Sequence, residues 1–390
     1  MNECKLLQHN YHYPSSVALL IECCRSVPEA AKPEMLSGQI TQWESFTQTA
    51  SHHGVLPLVH YSLKTLASVP DEIKERLKRL NLEISMRNML MSAELIRIMK
   101  LFEENGIRAL AFKGPTLSRA AYGDIALRQF GDLDILIQHS DIALTTDLLM
   151  AQGYIPEIEL GTDMKETLLD ALTVIGFYKS KSNILIEVHW ALLSKNYAIQ
   201  WDEKALWSQA QESVSINNIA IRVLPCEEQL LYLCIHGAKH LFERLEWVCD
   251  IDRFIRANPN MDWPYLLSEA KKRGVQRMLF LGLALCQYFF RLQLPELFQT
   301  QIAQDKVLPK LISKVLRANF SETSQEGKNY DYFMLMWHMR ENLSDKLRFT
   351  WYAFFAAQFD DFTFIRLPKQ LAFLYPLVRQ FRLVTKYFSR

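Results

Sequence analysis

The eight residues from Phe130 to Ile137, FGDLDILI, constrain the chain more than any other stretch. Their alternation fits a β-strand, which would put Asp132, Asp134 and Leu136 on one face and Leu133, Ile135 and Ile137 on the other. Two carboxylates aimed the same way repel each other, and a divalent cation is the usual physical reason for a chain to keep them so. Just upstream, Arg108 to Phe112 reads as a short strand, and Lys113-Gly114-Pro115 then turns into a helix running through Arg119. Glycine lets the backbone approach a ligand, proline suits a first helical turn, and the free amides there would face an anion. Pro115 itself has no amide hydrogen to offer.

Taken in order, Lys113-Gly114, Tyr122-Gly123-Asp124, Arg128 and Asp132-Leu133-Asp134 form a recognisable series. The series resembles the nucleotidyltransferase fold shared with DNA polymerase beta. More narrowly, it is similar to a group of uncharacterised bacterial nucleotidyltransferases with the same order of elements. The resemblance implies an enzyme that uses NTP and Mg²⁺ or Mn²⁺, with Asp132 and Asp134 as catalytic metal ligands. Two ions bridging a triphosphate and an attacking oxygen want a third carboxylate. Glu187 is the candidate, because Ile184 to Trp190 alternates so that Leu185, Glu187 and His189 share a face, and Ile-Glu-Val-His-Trp matches the late strand of that family. His189 would then touch the acceptor or orient Glu187, or serve only the local structure. Lys113 is placed for a triphosphate, and Arg128 for a phosphate or for pairing with an aspartate. On a helix His236, Lys239 and His240 share one face. The string resembles the basic helix that leans over the nucleotide in related two-domain enzymes, which implies that Lys239 neutralises phosphate charge while His236 or His240 lines the cleft. The plainer reading is a polar helix face paired with Asp250. The His-x-x-x-His spacing lacks the glutamate and third ligand that a zinc site would need.

Around this core the periodicity is helical. Val17 to Cys24, Ile40 to His52, Leu56 to Ala67 and a long run from Asp71 to Glu104 predict a helical N-terminal domain over residues 1–105. Residues 106–225 read as the catalytic core. It has a helix from Ser140 to Ala151, a loop and short helix over Gly161 to Leu172, strands at Thr173 to Lys179 and Ile184 to Trp190, and a turn at Asn217-Asn218. Helices at Glu227 to His240, Leu245 to Ala257, Trp263 to Arg273, Val275 to Phe290 and Leu308 to Ala318 predict a helical C-terminal domain over 226–390. The expected class is α+β, a small mixed sheet flanked by helices on both sides.

With 44 basic and 43 acidic residues, the chain has no global field to draw a nucleic acid polymer, which argues against a polymerase. Seven cysteines without Cys-x-x-Cys spacing fit reduced thiols in a cytoplasmic protein, and no apolar run is long enough to span a bilayer. After Asp361 the tail carries Arg366, Lys369, Arg379, Arg382, Lys386 and Arg390 without an acid. Pro368 to Tyr387 fits a basic amphipathic helix, able to lie on an anionic membrane surface or to pack on its own domain with its basic edge in water. The expected function is transfer of a nucleoside monophosphate from NTP to a hydroxyl or phosphate acceptor, with release of pyrophosphate. The acceptor is open among small molecule, saccharide, peptide and protein. The alternative is a catalytically silent chain of the same fold that docks a partner or membrane through its helical ends.

Overall fold

The computed structural model describes residues 13–27, 29, 31–158, 172–180, 183–320, 328–365 and 367–388. Its class is α+β. Five helices come first: α1 (Ser15–Cys24), α2 (Lys32–Ser37), α3 (Trp43–His52), α4 (Leu56–Leu63) and α5 (Asp71–Glu104). The last has 34 residues, about 50 Å of helix at the standard rise. Pro70 and the acids Asp71 and Glu72 start it, and Gly106, at φ +74°, turns the chain out of it. The expected loop and short helix over Gly161 to Leu172 lie almost wholly outside the described residues.

Strands β1 (Ala109–Ala111), β2 (Asp132–Ile137), β3 (Ile155–Pro156), β4 (Val174–Lys179) and β5 (Ile184–His189) form one sheet in the order β1-β2-β5-β4-β3. Only β2 and β5 run parallel, with Asp134 opposite Glu187 and Leu136 opposite His189. The alternation in both strands sorts the sheet into two faces. Leu133, Ile135, Ile137, Ile184, Ile186 and Val188 pack on Met91, Leu95, Ile98 and Phe102 of α5 and on Leu149 of the following helix α7 (Ile142–Ala151). The opposite face carries the acids. Between β1 and β2 lie the short α6 (Gly114–Leu117) and a π-helical turn (Ser118–Tyr122). After β5 come α8 (Glu203–Gln209) and a hairpin of β6 (Ser213–Ile216) and β7 (Ile219–Arg222). Asn217 and Asn218 make its turn with φ of 49° and 64°, the left-handed pair that a two-residue hairpin of this kind demands.

The C-terminal half is helical: α9 (Cys226–Lys239), α10 (Leu245–Ala257), α11 (Trp263–Lys272), α12 (Gln276–Phe290), α13 (Glu296–Gln304), α14 (Leu308–Phe320), α15 (Lys328–His338), α16 (Leu343–Phe355), α17 (Phe359–Phe364) and α18 (Tyr375–Phe388). One apolar core runs from Leu19 and Val59 of the N-terminal helices, through Leu110, Phe112 and Leu136 of the sheet, to Tyr232, Leu281 and Leu311 of the C-terminal helices. The acidic face of the sheet is thereby turned toward α9.

The tail departs from the expected single helix. Lys369–Leu374 is a 3-10 segment and α18 begins only at Tyr375. Its arginines are also turned the other way. Arg379 and Arg382 reach inward to Asp361, while Leu377, Phe381 and Val384 face out. Two carboxylates in α17 offered those arginines better partners than water, and the helix rotated to meet them.

Candidate functional site

The site is built on the first half of β2 and its parallel partner β5. Asp134 is buried, with 2% of its surface exposed, and it meets two of the predicted residues, Lys113 and His189. Lys113 Nζ donates to Asp134 Oδ1 at 2.9 Å. His189 Nε2 stands 3.3 Å from Asp134 Oδ1 and 3.3 Å from Glu187 Oε2. One donor atom from each of Asp134, Glu187 and His189 falls within a 4.8 Å cluster, the only group of potential metal ligands of three or more among the described residues. Asp132 lies one turn of the pleat earlier on the same face.

Charge explains why this arrangement holds together. Burial opposes the charged form of Asp134, but Lys113 and His189 outweigh it and hold the carboxyl well below the usual carboxylate range. Lys113 keeps 16% of its side chain exposed; burial opposes its charge, but Asp134 outweighs it and keeps the ammonium protonated far above neutrality. For Asp132 the balance goes the other way: burial first, and the neighbouring Asp134 second, push it up to about 6 against the pull of Lys113 and Arg128. Asp134 Oδ2 is fully buried without a hydrogen-bond partner among the described residues. An orphaned carboxylate oxygen costs free energy, and it aims a lone pair where a cation would be favourable.

Gly114 supports this corner for a steric reason. Its φ is +53°, and an added Cβ would stand 3.2 Å from the carbonyl oxygen of Asp132, so only glycine passes there without strain. Lys113, Gly114, Arg128, Asp132 and His236 line one cleft of about 600 Å³. A second cavity of about 560 Å³ has Leu136, Trp190, Asp202, Glu203 and Arg273 in its wall but none of Asp132, Asp134 and Glu187.

Of the two readings open for Arg128, a phosphate or an aspartate, the structure has it paired with an aspartate. Its Nε and Nη2 donate to the two oxygens of Asp250 at 2.8 and 2.9 Å, and Tyr122 Oη donates to the same carboxylate at 2.8 Å. Asp250 therefore serves Arg128 and not the face of α9, and Tyr122 of the Tyr-Gly-Asp string ties the core to α10. Asn88 of α5 fixes the same loop, donating to the carbonyls of Ile125 and Arg128 at 2.7 and 2.8 Å.

On α9, His236 packs on Tyr232, His240 and Trp247, and burial drives its pKa well below the ordinary value, leaving it neutral. His240 stands behind it against Trp247, outside the cleft lining. Lys239 is half-buried and lies over the Tyr197 ring. Burial and then Lys113 lower its pKa to about 8, with Asp134 and Glu187 pulling the other way. The sequence reading missed Phe112 and Tyr232, whose ring centres both lie 5.7 Å from Lys113 Nζ and form the wall that shields its ion pair. Tyr232 sits one helical turn before His236, the one signal that could have drawn attention to it.

Residues 40–291 match the sequence profile of a family described as uncharacterised nucleotidyltransferases. The chain belongs to that family. The match takes in β1, β2, β5, α9 and α10, which are all the elements that supply the site. No curated protein matches the chain. Family membership and the acidic cluster together support a transferase with a possible metal site. Among the described residues no helix is long and apolar enough to cross a membrane.

Proposed function

We propose that the chain transfers a nucleoside monophosphate from an NTP to a hydroxyl or phosphate acceptor, releasing pyrophosphate. The observation that carries this reading is the meeting of Asp134, Glu187 and His189 in one cluster, with the second carboxylate oxygen of Asp134 buried and unpartnered among the described residues. The donor set suits a hard divalent ion: carboxylates fit Mg²⁺, and the added imidazole favours Mn²⁺. Asp132, Asp134 and Glu187, with His189 beside them, would hold it. When bound, such an ion supplies Lewis acidity at phosphoryl oxygens and lowers the pKa of a coordinated hydroxyl.

The protein's own groups account for the remainder. The acceptor oxygen bonds to the α-phosphorus as the bond from that phosphorus to the bridging α–β oxygen breaks, and pyrophosphate carries the electron pair away. Glu187, the more exposed of the two clustered carboxylates at 33% of its side chain, is open to an incoming acceptor and takes its proton. Lys113, and Lys239 on α9, offset the negative charge on the leaving group, with Gly114 letting the backbone come close. Neutral His236 lines the cleft. Arg128 acts through position, since two of its nitrogens are committed to Asp250.

The test uses NTPs labelled at the α-phosphate, with cell extract as the source of acceptor and Mg²⁺ or Mn²⁺ present. Transfer of label by the wild type and its loss in Asp134→Asn supports the reading. Absence of metal-dependent NTP binding, measured by thermal shift on the wild type, overturns it in favour of a silent interaction protein.

A further inference from the structure

The last three helices turn apolar side chains to the outside in an ordered way. In α16, Leu343, Leu347 and Trp351 recur every fourth residue, and Trp351 is 61% exposed. In α18, Leu377, Phe381 and Val384 form a second stripe, and Phe381 is 59% exposed. Phe373, between α17 and α18, reaches 73%. The stripes belong to one surface: Trp351 stacks on Phe355 at 4.5 Å, Gln380 of α18 bonds to the carbonyl of Phe354, and Phe364 meets Phe381 at 6.2 Å.

The orientation of α18 makes this surface more than a scatter of exposed side chains. The helix spends Arg379 and Arg382 inside, on Asp360 and Asp361, and leaves leucine, phenylalanine and valine outside. Tyr375 and Val378 pack inward beside those arginines, so the outward stripe is a second apolar face of the same helix, and an ordered exposed apolar surface of this kind marks an interaction site. Charge selects the occupant. Residues 360–390 hold six bases against two acids, and the two acids are those already bonded to Arg379 and Arg382. By sequence alone, the stretch after Asp361 contains no further acid, so the segment carries a net positive charge. An aromatic, aliphatic face within a basic segment matches the headgroup region of an anionic bilayer, where rings sit at the boundary and lysine and arginine meet lipid phosphate.

We propose that the surface formed by α16, α17 and α18 binds peripherally to anionic lipid membranes, with Trp351, Phe373 and Phe381 entering the headgroup layer. This contact is separate from the acidic site, and its test does not depend on transferase activity.

The experiment is flotation of the full chain with vesicles of phosphatidylcholine alone or mixed with phosphatidylglycerol in equal parts. The wild type is expected to float with the mixed vesicles, to stay behind with phosphatidylcholine alone, and to be released by high salt. The double variant Leu377→Ser, Phe381→Ser should lose binding by at least about tenfold, since each side chain gives up its insertion, with an unchanged melting midpoint. Should that variant fail to fold, Trp351→Ser on the neighbouring helix reads the same surface. No flotation of the wild type, or variants that float as it does, overturns the proposal. So does a non-floating wild type that self-associates and is dispersed by the same substitutions, which would make a second copy the occupant.

Discussion

Arg128 and Asp250 lie far apart in sequence yet form a two-pronged ion pair, Arg128 7% and Asp250 1% exposed, that joins the loop before β2 to α10. Removing one partner leaves the other charge buried and uncompensated. Asp250→Ala should therefore destabilise the fold by about 3 to 5 kcal/mol, and also free the Tyr122 hydroxyl. Replacing both partners with apolar residues should recover much of the loss. Denaturant unfolding of the two variants checks this, and an Asp250→Ala midpoint equal to wild type would count against it.

The Lys113 ammonium compensates Asp134 when no ion is bound. Lys113→Met takes that compensation away, so the metal-free variant is expected to melt well below wild type. Mn²⁺ should then raise its melting temperature by more than it raises that of the wild type, because an ion would replace the lost positive charge. Equal shifts in the two proteins would mean that the ion does not bind at Asp134.

Glu246 gives a pH dependence with a definite sign. Burial first raises its carboxyl from 4.5 to about 7, against the pull of Arg128 and Arg244. Between those values the folded protein keeps a proton that the unfolded chain has released, so stability falls as pH rises through the window and the penalty is complete above about 7. Glu246→Gln should be more stable than wild type above that pH, by on the order of 3 kcal/mol, and no more stable below the unfolded value. Thermal melts across pH would show the two curves diverging upward, and parallel curves would refute it.

Two glycines near the acids predict opposite outcomes. Gly114→Ala forces a left-handed backbone and presses on the Asp132 carbonyl, at a cost of about 1 to 2 kcal/mol and with weaker NTP binding. The nearest atoms to a Cβ at Gly176 belong to the flexible, exposed side chain of Glu157, which can move aside, so Gly176→Ala should be tolerated. Melting and nucleotide titration of both variants separates the two cases.

The acids and their shared face were legible in the sequence because a period of two survives any tertiary context that buries one side of a strand. The bounds of α5 were legible because proline, acids and glycine mark them locally. What escaped was set by contacts across the chain. Nothing near Arg128 announces Asp250, and Phe112 and Tyr232 look like any core aromatics until the fold brings them to Lys113. Short elements such as β3 and α8 carry too few residues to show a period. The rotation of α18 was unreadable from its own composition, because Asp360 and Asp361 lie outside it.

The parallel register that sets Asp134 against Glu187 joins strands with β3, β4 and α7 between them in the chain. Closing so long a loop is entropically slow, and neither strand alone presents the full ligand set. On the proposed metal role, the full ligand set for a divalent ion exists only once β5 has docked beside β2. During refolding, the onset of the proposed Mn²⁺ binding would then time the closure of that central seam.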